Sequence, residues 1–256
     1  MTSVLVIVGA FLGLLIGSFL NVVAHRVPLE RSVVSPPSAC PGCGSPIRAR
    51  DNLPVLSWLV LRGRCRDCGI AISARYPLVE AATGVLFAAT AALVGAVWVL
   101  PAYWWFVALG VVLTLTDLDH RRIPNRILYP GTVVAVVLLV GGAIADGDLG
   151  ALGRGLAGGM AYFGFLLAVA VVARGGFGFG DVKLAFVLGV FTAYRSWGTL
   201  AVAVFAAFLV GGLVSIALLA MRRADRKTAI PFGPALVAGA LLALAVGDAV
   251  ADWYVG

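Results

Sequence analysis

The chain is 256 residues long, 61% hydrophobic and only 12% charged, with a mean hydropathy of +1.03. Soluble domains carry about 25% charged residues, so a soluble globular protein is excluded and lipid is the expected solvent for most of the chain. The net charge of +7 excludes less: anionic lipid headgroups are a sufficient partner for it, and nucleic acid is not expected as a partner.

Eight apolar spans can be read in chain order, at 4–24, 78–98, 99–116, 127–145, 155–173, 182–197, 198–220 and 230–247. They are continuous rather than alternating, which points to α-helices and away from a β-barrel. The third and sixth are the shortest, yet the stretches 78–116 and 182–220 are each about twice the length one crossing needs. Each is therefore expected to hold two helices, turning near Pro101 in the first case and near Arg195, Ser196 and Gly198 in the second. The 32 glycines suit helices that pack on small residues, because close van der Waals contact replaces the missing hydrophobic drive between helices in lipid. The expected fold is an all-α polytopic bundle of about eight transmembrane helices in the lipid bilayer, with a small cytoplasmic loop domain.

Alternating the spans across the bilayer collects seventeen of the 19 Lys and Arg on one side. These are the eight arginines from Arg26 to Arg75, then Arg121, Arg122, Arg126, Arg174, Lys183, Arg222, Arg223, Arg226 and Lys227, leaving Arg154 and Arg195 opposite. By the positive-inside rule the rich side is cytoplasmic and both termini lie outside. The first span has no basic residue before it and His25-Arg26 after it, the reverse of a cleaved signal peptide, so it is expected to be a retained helix. The expected organisation is a first transmembrane helix over 1–24, a cytoplasmic loop domain over 25–76, and a transmembrane core over 77–256.

All four cysteines fall in the loop domain, as Cys40-Pro41-Gly42-Cys43-Gly44 and Cys65-Arg66-Asp67-Cys68-Gly69, with 21 residues between the pairs. Two Cys-x-x-Cys-Gly knuckles at this separation approach the spacing of a zinc-ribbon-like site with four cysteine ligands. The glycine after each pair permits a tight turn. Two disulfides are disfavoured in the cytoplasm, and a redox Cys-x-x-Cys would not need duplicating, so structural zinc on Cys40, Cys43, Cys65 and Cys68 is the expectation. Four thiolates saturate a tetrahedral ion and leave no position for water.

Asp117 and Asp181 stand at the inner ends of apolar runs, and an ionisable side chain at such depth is a functional-site hypothesis by default. Both are expected at the cytoplasmic ends of their spans, so they can share one depth. Two carboxylates held close share one proton, so that one activates water while the other acts as acid. Gly178 and Gly180 flank Phe179 and suggest flexible backbone beside Asp181, open to an extended peptide. Ile123-Pro124 is expected to end the polar loop after Asp117, with the proline in the first turn of the next helix. Asp119, His120, Arg121 and Arg122 read most simply as a solvated edge. Another use of such aspartates is proton relay in a coupled transporter, which would expect two related halves; none is evident.

Taken together, these motifs resemble those of the bacterial type IV prepilin peptidases, relatives of the Gly-x-Gly-Asp intramembrane aspartyl proteases. The resemblance runs through Gly17-Ser18-Phe19-Leu20-Asn21-Val22-Val23, the paired cysteines, Arg75-Tyr76-Pro77-Leu78-Val79-Glu80, Asp117-Leu118-Asp119-His120, Gly178-Phe179-Gly180-Asp181-Val182-Lys183 and Ile230-Pro231-Phe232-Gly233-Pro234. It implies that Asp117 and Asp181 are catalytic and that the substrates are prepilins or pseudopilins cut after a glycine at the cytoplasmic membrane face. It also implies N-methylation of the new N-terminus with S-adenosylmethionine, associated with the N-terminal segment and the loop; a peptidase without that second activity is the alternative. Glu80 and Asn21, and Lys183 beside Asp181, are candidates for substrate or methyl-donor contact, as are Gly178 and Gly180. Asn21 would equally serve as a hydrogen bond between helices, Glu80 as partner of a neighbouring arginine such as Arg75, and Lys183 as a snorkelling cation.

Overall fold

The structure is a computed structural model in which residues 1–172, 178–221 and 231–255 are described. Arg174, Arg222, Arg223, Arg226, Lys227 and Ile230, which entered the topology and motif readings, lie outside the described residues. Among the described residues the architecture is helical and without strands: α1 (Thr2–Arg26), α2 (Leu56–Val60), α3 (Arg75–Val94), α4 (Leu100–His120), α5 (Asn125–Asp146), α6 (Leu149–Val172), α7 (Phe179–Arg195), α8 (Trp197–Ala220) and α9 (Gly233–Val255). Seven of these are long and apolar enough to cross a membrane, and α7, at 17 residues, occupies the sixth expected span. The chain is a multi-pass membrane protein.

It divides into two compact units, Met1–Ala96 and Val97–Gly256. In the first, α1 packs on α3 backbone to backbone. A methyl group at Gly13 would lie 2.6 Å from the Thr83 carbonyl oxygen, and one at Gly17 would lie 2.9 Å from Glu80 Cα. Close approach on small residues is the packing mode that lipid favours. Asn21 completes it by donating from Nδ2 to the carbonyls of Gly17 at 3.2 Å and Tyr76 at 3.4 Å, which ties α1 to the first turn of α3.

In the second unit, α4 and α7 form the interior. The apolar stretch of α4 is 72% buried, against 44% or less for the other six candidate spans. Protein contacts thus replace lipid around α4, so it needs less hydrophobicity than its neighbours. Residues Asp181–Tyr194 of α7 are buried apart from Lys183 and Phe186. Glycines set the spacing: a methyl at Gly189 would meet the Gly158 carbonyl oxygen at 2.6 Å, and one at Gly239 would meet the Ala207 nitrogen at 2.5 Å.

The two basic residues expected opposite the arginine-rich side are both consumed by helix ends. Arg154 donates to the carbonyls of Ala193, Tyr194 and Arg195, the groups that a helix C-terminus leaves unpaired. Arg195 pairs with Asp248 at 2.6 Å, and Asp248 also accepts from the hydroxyls of Ser196 and Thr199. Asp146 caps α4 by accepting from the amides of Trp98 and Val99.

Three local expectations are corrected. The break in 78–116 falls at Gly95, whose φ of +81° ends α3, whereas Pro101 sits inside the first turn of α4, where its missing N–H has no helical partner to lose. Pro124 is the extended N-cap of α5 rather than a residue of its first turn. Gly180 is helical, the second residue of α7; only Gly178, the N-cap, is extended, so the backbone beside Asp181 is wound.

Candidate active site and metal centre

Asp117 lies one turn before the end of α4. The Arg121 amide closes that helix on the Asp117 carbonyl at 2.8 Å, with Arg121 left-handed at φ +52°, an αL termination. Leu118, Asp119 and His120 form the last, exposed turn, with Arg121 and Arg122 exposed beyond it, as expected of a solvated edge. Asp181 lies in the first turn of α7, its amide bonded to the Gly178 carbonyl at 3.0 Å. A carboxylate in a first turn is stabilised by the unpaired N–H groups and dipole of the helix N-terminus.

Both side chains are buried, Asp117 to 5% and Asp181 to 9% exposure. Asp117 is held by a third helix: the Gly233 amide, at the N-terminus of α9, donates to its Oδ2 at 3.1 Å. Ile123 fills the space between these backbones. A methyl at Gly180 would lie 2.9 Å from Ile123 Cβ, and one at Gly233 would lie 2.7 Å from Asp117 Oδ2 and 3.4 Å from Ile123 Cδ1. The glycines therefore provide clearance for a neighbouring side chain and a carboxylate. Gly233 and Ile123 belong to motifs visible in the sequence, yet neither was read as a site residue. Pro234, just inside a helix start, was the signal that a helix N-terminus stood there.

Lys183 turns from the aspartates to α5: Nζ donates to Asn125 Oδ1 at 3.0 Å and lies over the rings of Tyr129 and Phe179, 5.1 and 4.8 Å from their centroids. Glu80 and Asn21 belong to the first unit. Glu80 is buried and accepts the Val55 amide at 2.7 Å. Val55 has φ +61°, and the Leu56 amide reaches the Pro54 carbonyl at 2.6 Å, the strained form of γ-turn. A β-branched residue there is a true outlier, held by a buried carboxylate.

The four cysteine sulfurs lie within 4.8 Å of one another, with Cys40 and Cys68 at 3.7 Å. A tetrahedral ion with metal–sulfur bonds of about 2.3 Å spaces its ligands by about 3.8 Å, so the cluster can hold a metal ion. Gly44 and Gly69 have φ of +71° and +73°, the left-handed turns expected after each pair. The Ser45 hydroxyl and amide pull the Cys43 thiol down to about 6, and the amides of Cys68 and Asp67 lower that of Cys65. The Ile70 amide also draws Cys68 down, but desolvation and the three neighbouring thiols outweigh it and push it up to about 12. Four sulfurs so close cannot all ionise without a cation among them.

A family model described as the bacterial peptidase A24 N-terminal domain matches residues 11–94, and one described as the type IV leader peptidase family matches residues 102–216. The chain is 37% identical to a prepilin leader peptidase/N-methyltransferase of Aeromonas hydrophila, over 94% of this chain and 90% of the relative. It is 36% identical to a protein of that name in Pseudomonas aeruginosa, covering 95% and 91%, and 34% identical to one in Bacillus subtilis, covering 95% of each. No solved structure matches. With matches in chain order to both family models, and relatives aligned almost end to end, the chain belongs to the type IV leader peptidase family.

Proposed function

We propose that this protein is a membrane-embedded aspartyl endopeptidase that removes the basic leader of prepilins or pseudopilins after a glycine and then N-methylates the exposed residue. The observation that carries the peptidase reading is that both carboxylates are buried and that Gly180, next to Asp181, and Gly233, whose amide holds Asp117, both abut Ile123. One carboxylate takes a proton from the attacking water while the other protonates the departing amine, the shared-proton chemistry of an aspartyl dyad. The Gly233 amide fixes one oxygen of Asp117, which leaves the other for water. Lys183, through Asn125, anchors the start of α7 to α5 and so positions Asp181.

The remaining assignments follow the charge and the family. The arginine-rich loop and both aspartates face the cytoplasm at the inner membrane, with both termini outside. Residues 1–24 anchor the loop domain 25–76, which serves methylation with help from the start of α3, and the rest of 77–256 forms the peptidase core. Zinc on Cys40, Cys43, Cys65 and Cys68 holds the loop in shape. S-adenosylmethionine supplies the methyl group. Glu80 and Asn21 serve methylation by positioning: one holds the Pro54–Leu56 turn and the other joins α1 to α3.

Mass spectrometry of the N-terminus of a co-expressed prepilin tests both activities together. The expected product lacks its leader and carries one added methyl group; an intact leader would refute the proposal, and a cleaved, unmethylated product would refute its second half.

A further inference from the structure

The first unit contains a cleft of about 310 Å³, within the volume range of small-molecule sites. One wall is the C-terminal half of α1, with Ser18, Phe19 and Arg26; the other is built from two proline-rich stretches, including Pro36 and, further on, Asn52 and Pro54. Neither wall is loose. Arg26 Nη1 donates to the carbonyls of Ser32 at 3.1 Å and Pro36 at 2.8 Å, clamping the first stretch to the end of α1. Pro54 opens the strained turn at Val55 that the buried Glu80 carboxylate holds from α3. Strain of this kind persists only where its surroundings over-determine it, and it concentrates at ligand sites.

The lining, otherwise aliphatic and proline, has polar and aromatic groups suited to the carboxylate, base and ribose of a nucleoside-linked amino acid. A guanidinium carries five N–H donors in a planar fork. Two of those on Arg26 are committed to the clamp, so three remain for an α-carboxylate. The ring of Phe19 is half exposed and offers a face for a purine, since every base can stack on an aromatic ring. Ser18 and Asn52 supply hydroxyl and amide groups for ribose and base edges. Cleft, clamp and strained turn all lie within residues 11–94, the part matched by the N-terminal family model rather than by the leader peptidase model.

We infer that this cleft is the S-adenosylmethionine site, with Arg26 taking the methionyl carboxylate, Phe19 the adenine, and Glu80 acting as a positioning residue that shapes the wall through Val55. The inference rests on the methyltransferase reading above. The test is equilibrium binding of S-adenosylhomocysteine, and of methylthioadenosine, which lacks the carboxylate, to the full-length protein in lipid nanodiscs. Arg26→Gln should weaken S-adenosylhomocysteine about tenfold or more, the scale of a lost charge-assisted bond, and weaken methylthioadenosine by a clearly smaller factor, the part due to the released clamp. Ser18→Leu, which spares the clamp and narrows the cleft, should weaken both. Helix content and bound metal report that each variant is folded; if Arg26→Gln fails that control, Ser18→Leu alone decides. Unchanged binding of both ligands in the folded variants would overturn the site while leaving methylation standing. No binding of S-adenosylhomocysteine to the parent protein would overturn the methyltransferase reading and the site with it.

Discussion

A methyl group is enough to probe the aspartate site, because Gly233 and Gly178 stand against different carboxylates with different clearances. At Gly233 an added Cβ would lie 2.7 Å from Asp117 Oδ2, whereas at Gly178 it would lie 3.3 Å from Asp181 Oδ2. Gly233→Ala should push the Asp117 carboxylate off its amide and lower leader cleavage about 100-fold, the cost typical of a misplaced reacting group. Gly178→Ala should cost less, and a gel-shift assay of prepilin processing ranks the two. In the other unit, Glu80→Ala strips a buried amide of its acceptor in a strained turn, which should destabilise the loop by about 1–3 kcal/mol. Glu80→Gln keeps an acceptor and should restore most of that. Limited proteolysis of the loop reads the difference. Gly178 beside Asp181 was legible in the sequence, but the two distant contacts were not: Gly233 is 116 residues from Asp117 and Val55 is 25 from Glu80, and a single chain carries no record of which distant groups its folding joins.

Among the elements, the cysteine knuckles were the most legible, because two pairs, two glycines and a spacing specify a local geometry that needs little from the rest of the chain. Metal binding there should depend on pH in a defined direction. Cys43, drawn to about 6, is already largely thiolate at neutral pH, whereas Cys68, pushed up to about 12, must surrender its proton to the ion. Binding therefore releases protons, and affinity should rise as pH increases from 6 to 8. Metal analysis after dialysis at each pH tests this, and Cys43→Ser should reduce the metal content and expose the loop to protease. The spans were legible as well, since uninterrupted apolar runs have one outcome in lipid. Their ends were less so: Pro101 and Pro124 are each compatible with a cap or a first turn, and the tertiary surroundings decide. Helix contacts have an equally direct test. Gly13→Ala places a methyl 2.6 Å from the Thr83 carbonyl, while Gly212 faces open space. The first should cost about 3 kcal/mol and the second about 0.5 kcal/mol or less, read as shifts in thermal unfolding in detergent.

At the scale of the whole molecule, burial explains why the two aspartates stand out from composition alone. The two helices that carry the aspartates are the ones most enclosed by protein: α4 is the most buried candidate span, and α7 is short and almost wholly interior. A helix shielded from lipid can end in a charge that a lipid-facing helix would not tolerate. The sequence signals this indirectly, because the two expected spans, 99–116 and 182–197, are among the shortest of the eight. The order of motifs along the chain carried the rest, since six short patterns spread over two units are informative only together. The decisive measurement is the rate of leader cleavage by Asp117→Asn, Asp181→Asn and the double variant, each inserted in the membrane with unchanged helix content. If the two carboxylates act as one unit, each single variant should lose about 10³-fold or more, and the double variant should fall no further. Cleavage within tenfold of the parent rate by either single variant would contradict the dyad.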